Sequence, residues 1–484
     1  MPRSRGASVT TIVALALAGA AVTLALAPGD EASHGPEAVA ARLVREFRGS
    51  YPLEARPGGK VVDVEIVAAP VELEMLDGRR LAVWAYNGTV PGPEIRIRLG
   101  DTVRARFTNR LPQPTTIHWH GVRLPNAMDG VPYVTQPPVQ PGESFTYEFT
   151  PKDAGTFWFH PHVRSSEQVE RGLYGVLVVE DPAPPPYSRD LVWVLDDWLL
   201  DPSGRIHEQF NTRHDLAHDG RWGNVATVNG RVRPAFAARP GERLRLRLLN
   251  SANGRAFAPD FTGLSGAAIA FDGMYAAEPL PIAGLELAPG NRVDLDIVIP
   301  RDAGGQRFTI VDRFTRTPFP LATIEVAGDA VETPVFASPA AAHVPRWRDA
   351  DNRPADVQIA LNARAGGPYG IEWTLDGKVM RHDGAEHHHH EAPYSLRQGR
   401  WAKLRFVNES ARLHPMHIHG QFFKVLARGG RPVDERHWRD TVLVRPRETV
   451  DIGLVPLDVG LWMLHCHILE HAESGMMTLV EVVR

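Results

Sequence analysis

The sequence contains only one cysteine, Cys466, among 484 residues. A disulfide within the chain is therefore impossible, and a free thiol in an oxidising compartment oxidises unless something protects it. A bound metal ion would give that protection. The alternative is that Cys466 is an inert buried residue, as free cysteines often are. That alternative leaves the histidines on either side of it, His465 and His467, unexplained, so we favour a metal site.

The sequence also lacks an excess of charge of either sign. Lysine and arginine total 53 against 57 aspartates and glutamates, which gives a net charge of -4. Because the charges are mixed along the chain, we expect no surface for a polyanion and no nucleic-acid partner. Long helical patterns are few, whereas 43 glycines and 41 prolines favour an all-β, turn-rich fold. The length suggests about three domains.

Long apolar runs are missing except at the N-terminus. There, Arg3 and Arg5 precede an apolar stretch at residues 9–27. Residues 1–30 therefore predict a signal peptide or an uncleaved membrane anchor, and Pro28 leaves the choice between the two open. We expect an exported monomer, periplasmic or extracellular.

Three repeats divide the rest of the chain. In each, a glycine is followed nine residues later by an asparagine: Gly100–Asn109, Gly241–Asn250 and Gly399–Asn408. The alternation of apolar and polar residues inside each run predicts a half-buried strand. The repeats predict three homologous β-sandwich domains. Their expected ranges are 55–182, 190–328 and 345–484.

Histidine pairs occur at matching positions in the first and last repeats only, so the middle domain is predicted to be a spacer without metal ligands. The four pairs are His118/His120, His160/His162, His417/His419 and His465/His467. On a strand, residues i and i+2 point to the same face, about 7 Å apart. Eight imidazoles suffice for three copper ions, with positions left open for dioxygen. Because each outer domain supplies two pairs, the site should form where these domains meet.

Further candidate ligands follow Cys466. His471 lies five residues after it and Met476 lies ten residues after it. A thiolate, two imidazoles and a thioether are the donors of a blue-copper centre, in which the methionine is a weak axial ligand. Met477 is the rival axial candidate, and the spacing from Cys466 favours Met476.

Four motifs together resemble those of the multicopper oxidases, in their laccase-like branch. The motifs are His118-Trp119-His120-Gly121, His160-Pro161-His162, the stretch from His414 to Gly420, and the stretch from His465 to Met477. They occur in order across essentially the whole chain after the leader. The resemblance implies three consecutive cupredoxin-like Greek-key β-sandwich domains. It also implies a copper-dependent oxidoreductase with dioxygen as its electron acceptor.

The resemblance assigns ligands for four copper ions. The type 1 copper would be bound by His414, Cys466, His471 and Met476, and the type 2 copper by His118 and His417. One type 3 copper would be bound by His120, His160 and His467, and the other by His162, His419 and His465. Cys466 is covalently continuous with His465 and His467, so these three residues would also carry electrons to the site of dioxygen reduction.

Two acids are candidates for delivering protons to dioxygen. Asp129 matches an acid that the family places near the type 2 copper, with a simple turn aspartate as the alternative. Many bacterial relatives carry a glutamate directly after the last type 1 histidine, where this chain has Ala472 followed by Glu473. Glu473 is either a substitute donor or surface charge. Asp440 is a candidate to orient His414, with loop packing as the alternative.

The motifs do not determine the electron donor. Only nine methionines are present, without a methionine-rich loop, so phenols or aromatic amines are favoured. The alternative is a metallo-oxidase for cuprous or ferrous ions. The run His387–His390 could collect such ions, although tracts of this kind are more often solvated loops. A third possibility, a non-catalytic copper-binding or scaffold protein, does not explain the complete set of histidines.

Overall fold

The computed structural model describes residues 57–76, 78–341, 353–381 and 392–484, together with Ala38 and Ala41. The predicted leader at residues 1–30 and the run His387–His390 lie outside the described residues. Within the described part, almost all regular structure is β, which confirms the predicted all-β class. No helix among these residues has the length and apolar character needed to cross a membrane.

The first sandwich consists of two four-stranded sheets. One sheet has the order β2-β1-β4-β6, with β1 at Val61–Met75, β2 at Arg79–Tyr86, β4 at Thr102–Asn109 and β6 at Ser144–Phe149. The other has the order β3-β8-β7-β5, with β3 at Glu94–Arg98, β5 at His118–His120, β7 at Gly155–His160 and β8 at Gly175–Glu180. Apolar side chains such as Phe107, Trp119 and Phe159 fill the core between them.

The middle sandwich has a six-stranded and a four-stranded sheet. The larger sheet has the order β10-β9-β12-β16-β14-β15, with β9 at Arg189–Trp198, β10 at Val225–Val228, β12 at Arg243–Asn250, β14 at Ser265–Phe271, β15 at Met274–Pro281 and β16 at Arg292–Val298. The smaller has the order β11-β18-β17-β13, with β11 at Ala235–Ala238, β13 at Pro259–Asp260, β17 at Arg307–Asp312 and β18 at Phe319–Val326. A separate apolar core that includes Leu246, Phe257 and Leu295 joins the two sheets.

The last sandwich has a six-stranded and a five-stranded sheet. The first has the order β20-β19-β22-β27-β24-β25, with β19 at Val357–Ala365, β20 at Ile371–Leu375, β22 at Ala402–Asn408, β24 at Lys424–Arg428, β25 at Arg431–Pro432 and β27 at Thr449–Leu454. The second has the order β21-β29-β28-β23-β26, with β21 at Tyr394–Arg397, β23 at His414–Ile418, β26 at Thr441–Val444, β28 at Gly460–Cys466 and β29 at Met477–Val483. Cys466 and Met476 both belong to the core of this sandwich.

Each of the six sheets takes its strands from only one of the three predicted domains, although the domain boundaries themselves remain predictions. Helical structure in the described part is confined to short connections. The α-helices are α1 (Ser165–Glu170), α2 (Arg213–Ala217) and α3 (Leu469–Glu473), and one 3-10 turn covers Asn126–Met128. Helices α1 and α3 follow the histidine-bearing strands β7 and β28 in sequence, and α2 packs against α3.

The three glycine-to-asparagine repeats form equivalent strands, β4, β12 and β22. Each pairs in parallel with the first strand of its sandwich. The asparagine that ends each strand uses its side chain to fix the following loop. Asn408 Nδ2 donates to the carbonyls of Arg412 and Arg445, and its Oδ1 accepts from the Ser410 amide. Asn109 and Asn250 make the same pattern of bonds, so the sequence repeat is also a repeat in hydrogen bonding.

Candidate metal centres

The four histidine pairs lie on two equivalent pairs of antiparallel strands or within two residues of their ends. In the first sandwich, His118 on β5 is directly opposite His160 on β7. In the last sandwich, His417 on β23 is directly opposite His465 on β28. All eight histidine side chains are at most 4% exposed. The matching offsets in the sequence therefore correspond to matching strand registers in space.

Rings from the first and last sandwiches contact each other directly. His118 stacks on His419 with ring centroids 3.7 Å apart, and His120 stacks on His417 at 3.8 Å. Residues that are about 300 positions apart in the sequence therefore form one buried cluster of imidazoles.

The imidazoles fall into compact groups. In each group, one donor atom from every residue lies within 4.8 Å of the others. The groups are His118/His120/His417, His120/His160/His467 and His162/His419/His465. The two groups that the resemblance assigns to the type 3 coppers are both present, and the type 2 pair, His118 and His417, lies together with His120.

Backbone carbonyls determine which ring nitrogen of several histidines carries the proton. Nδ1 of His118, His160, His417 and His465 donates to the carbonyl of Asp129, Pro161, Asp440 and Cys466, respectively, at 2.8–3.0 Å. Since a carbonyl can only accept, Nε2 keeps a lone pair. Nε2 of His118, His160 and His417 has no hydrogen-bond partner within the protein. Burial lowers the pKa of His160 and His417, so these rings are neutral and able to bind a metal.

The contact between His419 and His465 tests whether this site suits a metal ion. Their Nε2 atoms are 3.1 Å apart. His465 Nδ1 donates to the Cys466 carbonyl, and His419 Nδ1 donates to Asp129 Oδ2 at 2.8 Å. Both Nε2 atoms therefore present lone pairs to each other, which is repulsive unless a cation lies between or beside them. The arrangement fits a metal site.

A second, separate group contains the cysteine. Cys466 Sγ is 3.6 Å from His414 Nδ1 and 3.8 Å from His471 Nδ1, and the two nitrogens are 3.3 Å apart. The opposite nitrogens are occupied, because His414 Nε2 bonds Ser410 Oγ at 2.9 Å and His471 Nε2 donates to the His218 carbonyl at 2.8 Å. The three inward atoms form a triangle of one sulfur and two nitrogens, which suits a trigonal copper site.

The two methionines after this group lie in different surroundings. Met476 is fully buried in the same core cluster as Cys466, and its carbonyl accepts from the Cys466 amide. Met477 packs with Val131 and Leu479 in another cluster. Of the two, Met476 is therefore the methionine that shares the surroundings of the cysteine. Burial raises the pKa of the Cys466 thiol, so without a metal this sulfur stays protonated.

Comparison with known proteins identifies the family. Residues 68–184 and 352–484 match two family models that are both described as multicopper oxidase. The chain is 31% identical over 472 residues to the multicopper oxidase MmcO of Mycobacterium tuberculosis, with 89% of each protein covered. The chain belongs to the multicopper oxidase family. It is thus a copper-dependent oxidoreductase that uses dioxygen, and the family binds four copper ions.

Solved structures of multicopper oxidases have the same fold. A multicopper oxidase from Pseudomonas thermotolerans is 35% identical, with a TM-score of 0.78, and the match covers 87% of this chain and 99% of that one. A multicopper oxidase from Campylobacter jejuni, described as a metallo-oxidase, is 25% identical with a TM-score of 0.73, and the match covers 87% and 91%. The predicted cupredoxin-like architecture is confirmed.

Asp129 lies against two of the buried histidines of this multicopper oxidase. Its carboxylate is 3.3 Å from His118 Nδ1 and 2.8 Å from His419 Nδ1, and it is fully buried. Asp129 follows the 3-10 turn, which closes through a bond from its amide to the Asn126 carbonyl. This places a buried carboxylate next to His118, one of the two histidines that the resemblance assigns to the type 2 copper.

The expectation that Asp440 orients His414 is wrong. Asp440 Oδ1 instead lies 3.2 Å from His120 Nε2 and 3.4 Å from His417 Nδ1. Burial would raise the pKa of Asp440, but Arg292 and His417 outweigh it and lower the pKa to about 2. The carboxylate therefore stays charged, and His414 is held by Ser410 instead.

The middle sandwich contributes residues that sequence reasoning missed. Arg292 is fully buried and donates to both oxygens of Asp440, at 3.0 Å and 2.7 Å. Gly290 lies against the rings of His467 and His120, where a Cβ would approach within 2.9 Å. Neither residue is a metal ligand, so the pattern of paired histidines in the sequence gave no indication of their role.

A cavity of about 60 Å³ reaches the histidine cluster at His162. Glu473, Arg164 and Tyr369 also line it. Burial raises the pKa of Glu473 to about 7, against the opposing effect of Arg164. Ala472, which occupies the position of the glutamate in many bacterial relatives, is instead buried among Met463 and Leu479. Although the glutamate of this chain stands one residue later than in those relatives, its carboxyl group still lines the cavity that reaches His162.

Proposed function

We propose that this protein couples the one-electron oxidation of a small donor to the four-electron reduction of dioxygen to two waters. The observation that supports this most strongly is the complete donor set: ten histidines and one cysteine, buried in groups whose lone-pair nitrogens converge. A copper-storage or scaffold protein would not require a thiolate group separated from a cluster of eight imidazoles.

The ligand assignment that we propose follows the groups in space. His414, Cys466, His471 and axial Met476 would bind the type 1 copper, and His118 and His417 the type 2 copper. His120, His160 and His467 would bind one type 3 copper, and His162, His419 and His465 the other. When bound, these ions accept the electrons of the donor and bind and reduce dioxygen.

The protein itself would link the two centres. Cys466 is covalently joined to His465 and His467, whose side chains belong to the two type 3 groups. Its own sulfur faces His414 and His471. An electron at the sulfur therefore needs to cross only a few covalent bonds to reach either group.

Protons would be delivered from two sides. Asp129 is within hydrogen-bond distance of His419 and close to His118, which suits a proton relay at the type 2 side. Glu473 lines the cavity that ends at His162, and its raised pKa of about 7 suits an acid that donates near neutral pH. We propose both residues as catalytic.

For the electron donor, we propose a metal ion ahead of a phenol or aromatic amine. The outer edge of His471 is bonded to the His218 carbonyl, and the whole side chain is 0% exposed. An organic ring therefore cannot lie directly on this imidazole, as a laccase-like pocket would require. The likeness to the multicopper oxidase from Campylobacter jejuni, which is described as a metallo-oxidase, supports a donor of this kind. A phenol or aromatic amine is the second candidate, because the chain has few methionines and no methionine-rich loop to bind cuprous ion.

An oxygen electrode with the copper-loaded protein tests the function. We expect one dioxygen consumed per four electrons from cuprous ion, with no hydrogen peroxide detected by a peroxidase-coupled assay. Stoichiometric peroxide, or no oxygen uptake with cuprous ion, ferrous ion or a phenol panel, would contradict the proposal.

We also propose that the mature protein is an exported monomer of three domains at residues 55–182, 190–328 and 345–484. The apolar N-terminal stretch supports export, and the three separate cores support the domains. Mass spectrometry of the chain purified from its host would show whether the leader is cleaved, and light scattering would give the oligomeric state.

A further inference from the structure

The segment between Thr212 and Asp219 of the middle sandwich closes over the cysteine-containing group. Its helix α2 inserts Leu216, which is 0% exposed, into the core of the last sandwich. Trp373 Nε1 donates to the Leu216 carbonyl at 2.9 Å, and the Trp373 ring lies 4.2 Å from that of His471. The segment is therefore part of the wall around His471.

Several hydrogen bonds make the segment from Thr212 to Asp219, which we call the cover, rigid. Thr212 and Asp215 form a reciprocal capping box, in which Asp215 Oδ2 accepts from the Thr212 amide and Thr212 Oγ1 accepts from the Asp215 amide. At the other end, Asp219 Oδ1 accepts from the amide of Leu413, which directly precedes His414. A cover fixed in this way holds whatever it binds at a constant distance from His471.

The outer surface of the cover carries two imidazoles. His214 and His218 are both exposed, and their rings stack with centroids 4.2 Å apart. His218 Nδ1 donates to the His214 carbonyl at 2.8 Å, so its Nε2 carries the lone pair. The backbone carbonyl of the same His218 accepts from His471 Nε2. One residue therefore joins the exposed pair to the buried imidazole through its own covalent bonds and a single hydrogen bond.

We propose that His214 and His218 form a docking site for a cuprous ion, which delivers its electron to His471 through the backbone carbonyl of His218. This inference rests on the proposed oxidase function and names its substrate site.

The donor set of the cover favours cuprous over ferrous ion. Imidazole binds both copper and iron, so the number of donors decides. Two donors suffice for cuprous ion, which accepts low coordination numbers, whereas ferrous ion takes more ligands and readily includes carboxylate oxygens. Both carboxylates of the segment already have backbone partners, since Asp215 caps the helix and Asp219 holds Leu413. The two imidazoles are therefore the donors that this surface offers.

The electron balance is complete with the established acceptor. Each cuprous ion loses one electron and leaves as cupric ion. Four such events, together with four protons from solvent, reduce one dioxygen to two waters. No other oxidant or reductant is needed.

Silver ion, a redox-inert substitute for cuprous ion, tests binding directly. The fully copper-loaded chain is used, with His387–His390 replaced by serine in every variant so that this run cannot bind silver. By calorimetry we expect one silver ion per chain, and its loss in His214→Gln/His218→Gln. Arg213→Gln, an exposed substitution on the same helix, is the matched control and should keep the silver ion.

Oxygen uptake by the same variants separates the site from the function. We expect the ratio of kcat/KM for cuprous ion to that for a phenol to fall at least tenfold in the double variant and to stay constant in Arg213→Gln. Unchanged silver binding, or an equal fall for both donors, would overturn the docking site. Silver binding with no oxygen uptake from any donor would instead overturn the proposed function and leave the site intact. The blue absorbance of each variant checks that the cysteine-containing group is undisturbed.

Discussion

At the scale of single residues, the hydrogen bond on one ring nitrogen determines what the other nitrogen can do. His118, His160, His417 and His465 each give the Nδ1 proton to a backbone carbonyl. Their Nε2 atoms are therefore presented as ligands before any metal arrives. His120 is oriented the other way, with Nε2 toward Asp440, and its Nδ1 has no hydrogen-bond partner within the protein. Fixed tautomers reduce the reorganisation that metal binding requires.

Replacing Cys466 should separate the two kinds of site. Cys466→Ser removes the soft sulfur donor, so we expect the intense blue absorbance to disappear and turnover to fall at least a thousandfold. The histidine cluster does not use this sulfur as a donor and should retain its copper, which metal analysis would show as about three ions per chain. Substantial remaining oxidase activity would contradict the electron route through this residue.

Met476 should affect the reduction potential of the type 1 copper but should not be required for binding it. Because an axial thioether binds weakly through a long bond, Met476→Leu should raise the reduction potential of the type 1 copper and keep the blue colour and most of the activity. A redox titration followed at the blue band measures the shift, and Met477→Leu is the matched control. If Met476→Leu loses the type 1 copper, or if only Met477→Leu changes the potential, the axial assignment is wrong.

At the scale of structural elements, the first ligand-bearing strand of each outer sandwich, β5 or β23, follows a loop fixed by a buried asparagine. The asparagines that end β4, β12 and β22 bond to the loop in the same way, although no histidines follow in the middle sandwich. This hydrogen-bonding pattern is therefore a feature of the sandwich fold and does not depend on metal ligands. In the last sandwich the fixed loop contains Ser410, which bonds His414 Nε2.

Asn408→Ala should weaken both the fold and the type 1 site. It leaves the carbonyls of Arg412 and Arg445 and the Ser410 amide without their side-chain partner, which costs about 3–9 kcal/mol for three groups at the usual 1–3 kcal/mol per unsatisfied group. We expect a lower thermal midpoint and weaker type 1 copper binding. Asn362→Ala, a more exposed asparagine, is the control. Equal midpoints for the two variants would contradict this role.

The histidine pairs and the sulfur were predictable because their geometry is local: two residues apart on a strand, or five residues beyond it. The partners that orient them were not predictable in this way. Arg292, Ser410 and His218 come from loops or from another sandwich, and no periodicity connects them to a ligand. Asp440 was assigned to His414 instead of His417, because these two histidines lie on one strand and sequence separation alone cannot say which one the loop contacts.

At the scale of the whole molecule, the middle sandwich supports both centres. Arg292 fixes Asp440 between two histidines of the outer sandwiches, and His218 covers His471. The predicted spacer therefore forms part of the walls of both sites. Its contact with the first sandwich includes a buried bond from Tyr174 to Asp196 at 2.5 Å.

This contact makes stability depend on pH. Burial raises the pKa of Asp196 to about 8, so the folded chain retains a proton that the unfolded chain loses near pH 4. The stabilisation from this proton is therefore fully present below about pH 4. Between about pH 4 and pH 8 the free energy of unfolding falls by about 1.4 kcal/mol per pH unit. In Asp196→Asn, Oδ1 can still accept from the Asp197 amide and Nδ2 can donate to Tyr174 Oη. This variant should therefore gain in thermal midpoint relative to the unmodified chain between pH 5 and pH 8. A constant difference across this range would show that Asp196 is ionised in the fold.

Anomalous diffraction at the copper edge, from crystals of the fully loaded protein, would test this assignment of four copper sites. We expect four peaks per chain. One lies among His414, Cys466 and His471, and three lie among the eight histidines that the outer sandwiches bring together. Fewer than four peaks, or copper bound only at other residues, would contradict it.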